Sequence, residues 1–221
     1  MEDENGFIQF TGNRAPRRDG AEKRAALLEA AGQIFAERGY AATTSKEICH
    51  RAGTNSAAVN YYFGGKDGLY QEVLKEAHRQ LVSVEQLDNI ACTQDAPEVK
   101  LRAFLGMMLS AASPATKFWG IRLFLRELVS PSALGTKTIV GSSLPKAARL
   151  RQIVHELTGL PLDSEVLNRA VGLVAAPCIG LILFSGTPFV QVYPEMYPNN
   201  QESLLDDVVK YVIAGLSSFV A

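Results

Sequence analysis

The side chains best equipped for chemistry fall in one run, TSKEICHRAGTNSAAVNYYFGGKDGLY, from Thr44 to Tyr70. Asn60, Tyr61 and Tyr62 bring an amide and two phenols, Thr44, Ser45, Asn55 and Ser56 bring short polar groups, and Lys66 brings an ammonium. Groups of this kind hydrogen-bond phosphates and base edges. Ala57, beside them, is small enough to let a backbone approach a surface closely. The elements that must carry these groups are two short helices broken by a glycine. The hydroxyl of Thr44 or Ser45 caps the first, and Glu47 lies at capping-box spacing from Thr44. Ile48 and Ala52 give that helix a buried side, and Gly53 takes the left-handed backbone of a tight turn. Asn55 or Ser56 caps the second helix, SAAVNYYF, and Gly64-Gly65 breaks into a third. This is a helix-turn-helix, which lays one helix in the DNA major groove.

The wording of the run is specific. Ala52-Gly53, then Val59-Asn60-Tyr61-Tyr62-Phe63, then Lys66-Asp67-Gly68-Leu69-Tyr70, behind the phased helix LLEAAGQIFAERGYAATTSKEI from Leu27, resembles the N-terminal DNA-binding domain of the TetR family of bacterial transcriptional repressors. The likeness covers roughly residues 20 to 75. The run departs from the commoner family form at Ala57, Ala58, Asn60 and Tyr61, and is similar to a subgroup with Ala-Ala-Val-Asn-Tyr in the recognition helix. That departure bears on which operator bases are read. The resemblance implies that Thr44 and Lys66 meet phosphates and that residues from Asn55 to Tyr61 face the groove. Thr44 serves equally as a plain cap, and Tyr62 as packing or as a phosphate contact. Arg17 and Arg18 form either a basic arm that reaches the duplex or a charged tail.

Charge distribution agrees with a local rather than a global DNA footprint. The chain has 221 residues and a formal net charge of −1. Between Arg14 and Lys66 stand nine Lys/Arg against five Asp/Glu, and the remainder carries thirteen against eighteen. A basic N-terminal segment on an acidic body is expected if that segment alone touches phosphates. Three separated cysteines, Cys49, Cys92 and Cys178, argue against a disulfide framework and for a reducing, cytoplasmic setting. MEDENGFIQF is unlike a signal peptide, and the apolar run from Ala170 to Phe184 is 15 residues, short of a bilayer span. No membrane partner, metal site or cofactor is expected. Ser, His and Asp are scattered without a nucleophile elbow or a phosphate-cradling glycine loop, so the chain does not read as an enzyme.

The expected fold is all-α with about nine helices. Residues 1–18 read as a disordered arm with a basic end, 19–65 as the helix-turn-helix domain, and 66–221 as a helical ligand-binding and dimerisation domain. Helix four is expected to run unbroken from Lys66 to about Asn89, helix seven from Lys146 to Thr158 after a Gly/Ser passage, Gly135 to Ser143, that reads either as a break or as a weak helix start, and helix eight from a cap at Asp163. Met107, Met108, Phe118, Trp119 and Cys178, with Arg122 and Arg126 interspersed, are the candidate lining of a small-molecule site. The same residues also suit an ordinary core. Excess apolar residues in the helices near 163–184 and 201–219 suit a homodimer interface, which the resemblance also implies. The resulting expectation is a regulator that binds a palindromic operator as a dimer, most simply a repressor released by a small-molecule inducer. A transcriptional activator, or a small-molecule-binding helical protein without a DNA role, is the alternative.

Phosphate contacts and base contacts give different signatures. Lys66→Ala should weaken binding to every duplex and lower the slope of log affinity against log salt by about one. Asn60→Ala should instead alter which sequences are preferred, as read by salt titration against a panel of duplexes.

Overall fold

The computed structural model describes residues 16–110, 119–185, 187–198 and 200–220. Among them no strand occurs, and the chain is all-α as expected. The helices are α1 (Pro16–Arg38), α2 (Ser45–Arg51), α3 (Ala58–Phe63), α4 (Lys66–Leu81), α5 (Val84–Ala91), α6 (Pro97–Ser110), α7 (Trp119–Val129), α8 (Ala133–Thr158), α9 (Glu165–Phe184), α10 (Phe189–Val192) and α11 (Gln201–Ser217), with a 3-10 turn at Pro194–Met196.

Two apolar cores organise them. Leu27, Ala31, Ile34 and Phe35 recur at helical spacing on α1 and meet Ile48 of α2, Val59 of α3 and Leu69, Val73 and Leu74 of α4. Trp119 and Leu123 of α7 complete this head cluster. The body cluster draws Leu101, Phe104 and Leu105 from α6, Ile153 and Val154 from α8, Leu167, Val174 and Cys178 from α9, and Val208, Val212 and Leu216 from α11. The head core therefore continues through α4, past the boundary expected after residue 65, and the body core begins at Val82.

Capping chemistry accounts for where the helices differ from expectation. α4 stops at Leu81 because Val82 is extended (φ −153°, ψ 121°) and Ser83 opens a new helix. Ser83 Oγ accepts from Gln86 N, and the Gln86 amide returns to Ser83 N, a complete capping box. The expected 24-residue helix is thus two helices. α8 is the converse: a single 26-residue helix from Ala133 to Thr158, so the Gly135 to Ser143 passage is the start of this helix and not a break before Lys146. Ser132 caps it, and Pro145 lies inside without ending it. α9 is capped by Ser164, whose Oγ accepts from Val166 N and Leu167 N, in place of Asp163. α1 begins at Pro16, so the last three residues of the expected arm are helical; residues 1–15 lie outside the described part of the chain. α9 is 20 residues long with mean hydropathy 1.9, which by length and composition alone suffices to cross a bilayer; counting from Ala170 had made it too short. A third of its apolar window is buried within the protein.

Head and body are joined at one buried carboxylate. Glu127 of α7 is 6% exposed and accepts from Tyr70 Oη of α4 at 2.5 Å and from Ser132 N at 3.0 Å. Ser132 Oγ lies 3.1 Å from both carboxylate oxygens and accepts from Gly135 N at 2.9 Å. A Cβ at Gly135 would sit 1.8 Å from Glu127 Oε2, so only glycine fits there. Burial and the Glu127 carboxylate together raise the Tyr70 phenol well above its ordinary range.

A second joint lies at His78 of α4, which is buried and packs 5.6 Å from the Phe124 ring. Lys146 Nζ of α8 lies 2.7 Å from His78 Nδ1 and 2.6 Å from its carbonyl oxygen. An ammonium only donates, so Nδ1 accepts and Nε2 carries the proton towards Ser143 Oγ at 3.1 Å. Burial, then the Lys146 charge, lowers the His78 pKa to about 4. Burial lowers that of Lys146 to about 8.

Folded His78 resists a proton that the unfolded imidazole takes near 6.5. Stability present above pH 6.5 should therefore fall as pH drops towards 4, by at most about 3 kcal/mol. Thermal melts across that range should show the fall in the wild type and a flatter profile in His78→Gln. Equal slopes would remove His78 from the pH response.

Candidate nucleic-acid interface

Three local devices place α3 on the surface. The first is the cap of α2: Thr44 Oγ1 accepts from Glu47 N at 3.2 Å. Glu47 does not return the bond to complete a capping box; its carboxylate takes Arg38 Nη1 at 2.5 Å. The second is Gly53, at φ +65°, with its N–H on His50 O and Thr54 N on Cys49 O. A Cβ at Gly53 would meet nothing within 4 Å, so backbone conformation and not crowding calls for glycine. The third is Asn55, whose Oδ1 accepts from Ala57 N at 3.1 Å. Neither Asn55 nor Ser56 is the helix cap, however. α3 starts at Ala58, and Ala57 at the cap position makes no side-chain bond.

The resulting helix buries Ala58 and Val59 and exposes Asn55, Ser56, Ala57 and Asn60 along its entry and outer face. Tyr61 is 81% exposed, an unusual state for an aromatic ring, and meets Tyr62 edge-on at 4.8 Å. Tyr62 is half-buried, so it joins packing and exposure in one residue. These groups edge a recess of about 470 Å³ lined by Gly53, Thr54, Asn55, Ala57, Tyr61 and Tyr62. Lys23 of α1 lines the same recess. In the sequence Lys23 stands out only as one of the basic residues of the N-terminal segment. Its ammonium lies 2.9 Å from Asp19, one turn back, which raises the lysine pKa through that hydrogen bond. Lys23 stands one turn before Leu27 on the stripe that Ala31 and Ile34 continue, just beyond the buried part of α1, and that spacing was the available signal.

Lys66 has a different position from the one expected of a free phosphate contact. It is half-buried, and Nζ donates to Tyr40 O at 3.0 Å and Thr43 O at 2.9 Å, 4.1 Å above the Tyr40 ring centre. Tyr40 Oη in turn donates to Asp67, which raises the phenol pKa to about 12. The start of α4 is thereby tied to the loop before α2. Thr44 is exposed and Ser45 half-buried at the same place. Arg17 and Arg18 lie in the first turn of α1, and their side chains are outside the described part of the chain.

The candidate ligand residues do not converge. Trp119 belongs to the head cluster, its indole N–H donating to Glu29 of α1 at 2.8 Å. Arg126 lies over Gly39 beside the end of α1, and Arg122 is exposed. Met107 and Met108 are half-buried against the body core. Cys178 is fully buried in that core, its thiol pushed up to about 12 by burial. Phe118 lies outside the described residues. Helical periodicity placed these groups on one stretch of chain but not on one side of the fold. Among the described residues, no cluster of three or more His, Cys, Asp or Glu could hold a metal ion.

A separate groove of about 550 Å³ runs between α9 and α11, lined by Leu173, Pro177, Gly180, Phe184, Tyr211 and Gly215 among others. Leu173 is 57% and Tyr211 72% exposed. Several residues expected to be surplus apolar surface, among them Val174, Ile182, Val208, Val212 and Leu216, are instead buried in the protomer's own core. The outward faces of the same two helices carry the exposed apolar surface.

Lys66→Ala should destabilise the head by about 2–3 kcal/mol, since two charge-assisted bonds and a ring contact are lost together. Denaturant melts will register this. A melt unchanged from wild type would show that the Lys66 brace carries no stability.

Comparison with known proteins agrees with this geometry. Residues 27–73 match the family model of bacterial regulatory proteins, tetR family. Residues 97–184 match the model of the C-terminal domain of the HTH-type transcriptional dual regulator CecR. The chain is 30% identical over 100 residues to the HTH-type transcriptional regulator BetI of Burkholderia thailandensis, a stretch covering 44% of this chain and 51% of that protein. It spans about half the length of the curated relatives it matches. Its fold is similar to that of the fatty acid degradation regulator FadR of Bacillus halodurans, with a TM-score of 0.68 at 15% identity, covering 93% of this chain and 98% of that one. A SmeT–triclosan complex is similar as well, with a TM-score of 0.64 at 18% identity and coverage of 87% and 90%. The relatives are transcriptional regulators and not enzymes.

Proposed function

We propose that this chain, a TetR-family regulator by its head and its relatives, binds double-stranded operator DNA as a homodimer in the cytoplasm and represses transcription until a small molecule releases it. The observation that carries the reading is α3 itself. A six-residue helix and the turn that leads into it from Gly53 expose Asn55, Ser56, Ala57, Asn60 and Tyr61 together, with Lys23 at their side. Small residues at the helix entry permit close approach, and the polar groups beyond them match phosphates and base edges.

The outward apolar faces of α9 and α11 support the dimer. An exposed apolar groove with Leu173, Phe184 and Tyr211 at its rim is stabilised by burial against the same face of a second copy. Two reading heads related by a two-fold axis favour a palindromic site with half-sites about 34–36 Å apart. Inducer binding would have to favour one head arrangement over another, and about 1.4 kcal/mol of such preference loosens the operator tenfold. The triclosan bound to SmeT shows a small-molecule complex in a protein of similar fold, which supports a sensor role for the body here. Activation in place of repression is the alternative, favoured by the description of the CecR model as that of a dual regulator.

Selection of duplexes from a random pool, followed by gel shift and sedimentation, tests this reading. Two protomers should sit on a palindromic duplex. Tyr211→Asp puts a charge in the groove without entering the protomer's core, and should yield monomers that bind the same duplex at least tenfold more weakly. A Tyr211→Asp protein that remains dimeric would place the interface elsewhere, and a pool that yields no enriched duplex would remove the regulator reading.

A further inference from the structure

α7 belongs to both cores. Ile121 and Leu125 pack in the body cluster, while Trp119 and Leu123, one turn apart, pack in the head cluster. Two of its side chains reach glycines of α1 and of the turn that follows it. The Trp119 indole lies on Gly32, where a Cβ would be 2.3 Å from an indole carbon. The Arg126 guanidinium lies on Gly39, where a Cβ would be 2.8 Å from Nε. Positions 32 and 39 are seven residues apart, as are 119 and 126, and they pair in the same order. The two helices therefore run side by side in the same direction, touching at points about 10 Å apart along the axis. At the first point the indole N–H donates to Glu29 Oε2 at 2.8 Å, and Trp119 is only 3% exposed. Gly32 lies mid-helix, where glycine is a poor helix former. A notch for the indole accounts for its presence.

We propose that this two-point clamp makes Trp119 the positioning residue through which the body sets the angle of the DNA-reading head. α1 carries Lys23 into the recess beside α3, and its buried side packs on α2 and α3. A tilt of α1 therefore moves the whole reading surface. α7 is anchored in the body by Ile121 and Leu125, so a shift of the body reaches α1 through Trp119 as well as α4 through the Tyr70–Glu127 bond. The inference rests on the reading of the head as a DNA-binding unit.

Trp119 is the only tryptophan in the chain, so its emission reports on the clamp alone. The probe is a duplex selected from a random pool, titrated into the wild-type protein. The emission should change to saturation with the same midpoint as the gel shift. Gly32→Ala should displace the indole, shift its emission to the red and weaken duplex binding at least tenfold. Gly32→Ala/Trp119→Leu, with a smaller side chain over the new methyl, should recover binding to within about threefold of wild type. Loss of binding without such recovery would mark general destabilisation and overturn the clamp. Emission unchanged at saturating duplex, which needs no variant to fold, would overturn it too, as would a displaced indole with binding within about twofold of wild type. A wild-type protein that retains no duplex overturns the DNA reading and the clamp together, whereas the other failures leave that reading standing.

Discussion

A buried carboxylate is costly unless every lone pair finds a donor, and the junction of this molecule is built around one. Glu127 is satisfied by Tyr70 of α4 and by the backbone and hydroxyl of Ser132, which at the same time caps α8. Removing any one of these donors would leave a charge stranded in a water-poor site. Three helices are therefore tied at one point, and the glycine at 135 is there because the carboxylate leaves no room for a side chain. The head cannot shift relative to the body without disturbing this set of bonds.

Around that fixed joint the molecule separates rigidity from exposure. The head core is dense, with Leu27, Ala31, Phe35, Ile48, Val59 and Leu69 at or near zero exposure. Its outer rim is bare, with Tyr61 almost wholly in solvent. The brace of Lys66, Tyr40 and Asp67 fixes the loop that leads into α2, and Gly53 sets the angle at which α3 leaves it. Exposed polar groups on a rigid short helix lose little freedom when they meet a partner, which favours recognition by preorganisation. The body repeats the pattern, with a dry core inside and an apolar groove outside α9 and α11.

The head was largely legible in the sequence because its determinants are local. The Thr44 cap, the left-handed Gly53 and the phasing of Leu27, Ala31 and Ile34 each act within a few residues. Helix ends farther on were less legible for a related reason. The Ser83–Gln86 capping box breaks a stretch whose apolar pattern would have continued, and Ser132 starts a helix that runs on through a Gly/Ser passage, Gly135 to Ser143, readable as a break or as a weak helix start. The candidate ligand residues were illegible because their positions depend on which helix packs on which. Trp119 reads as a pocket residue on its own helix, and only the juxtaposition of α7 with Gly32 shows that it faces the head. Lys66 likewise reads as a free cation until the carbonyls of Tyr40 and Thr43, over twenty residues away, are seen around it.

The central claim is that the surface made by α3 and Lys23, held out by the turn at Gly53, is where a duplex docks. Backbone amide exchange compared with and without a selected duplex tests it most directly, because it reports every segment at once. The account predicts slowed exchange concentrated in residues 53–63 and in the α1 turn around Lys23, with the groove face of α9 and α11 unchanged by DNA. Protection centred on the body, with the α3 segment exchanging as freely as before, would contradict it.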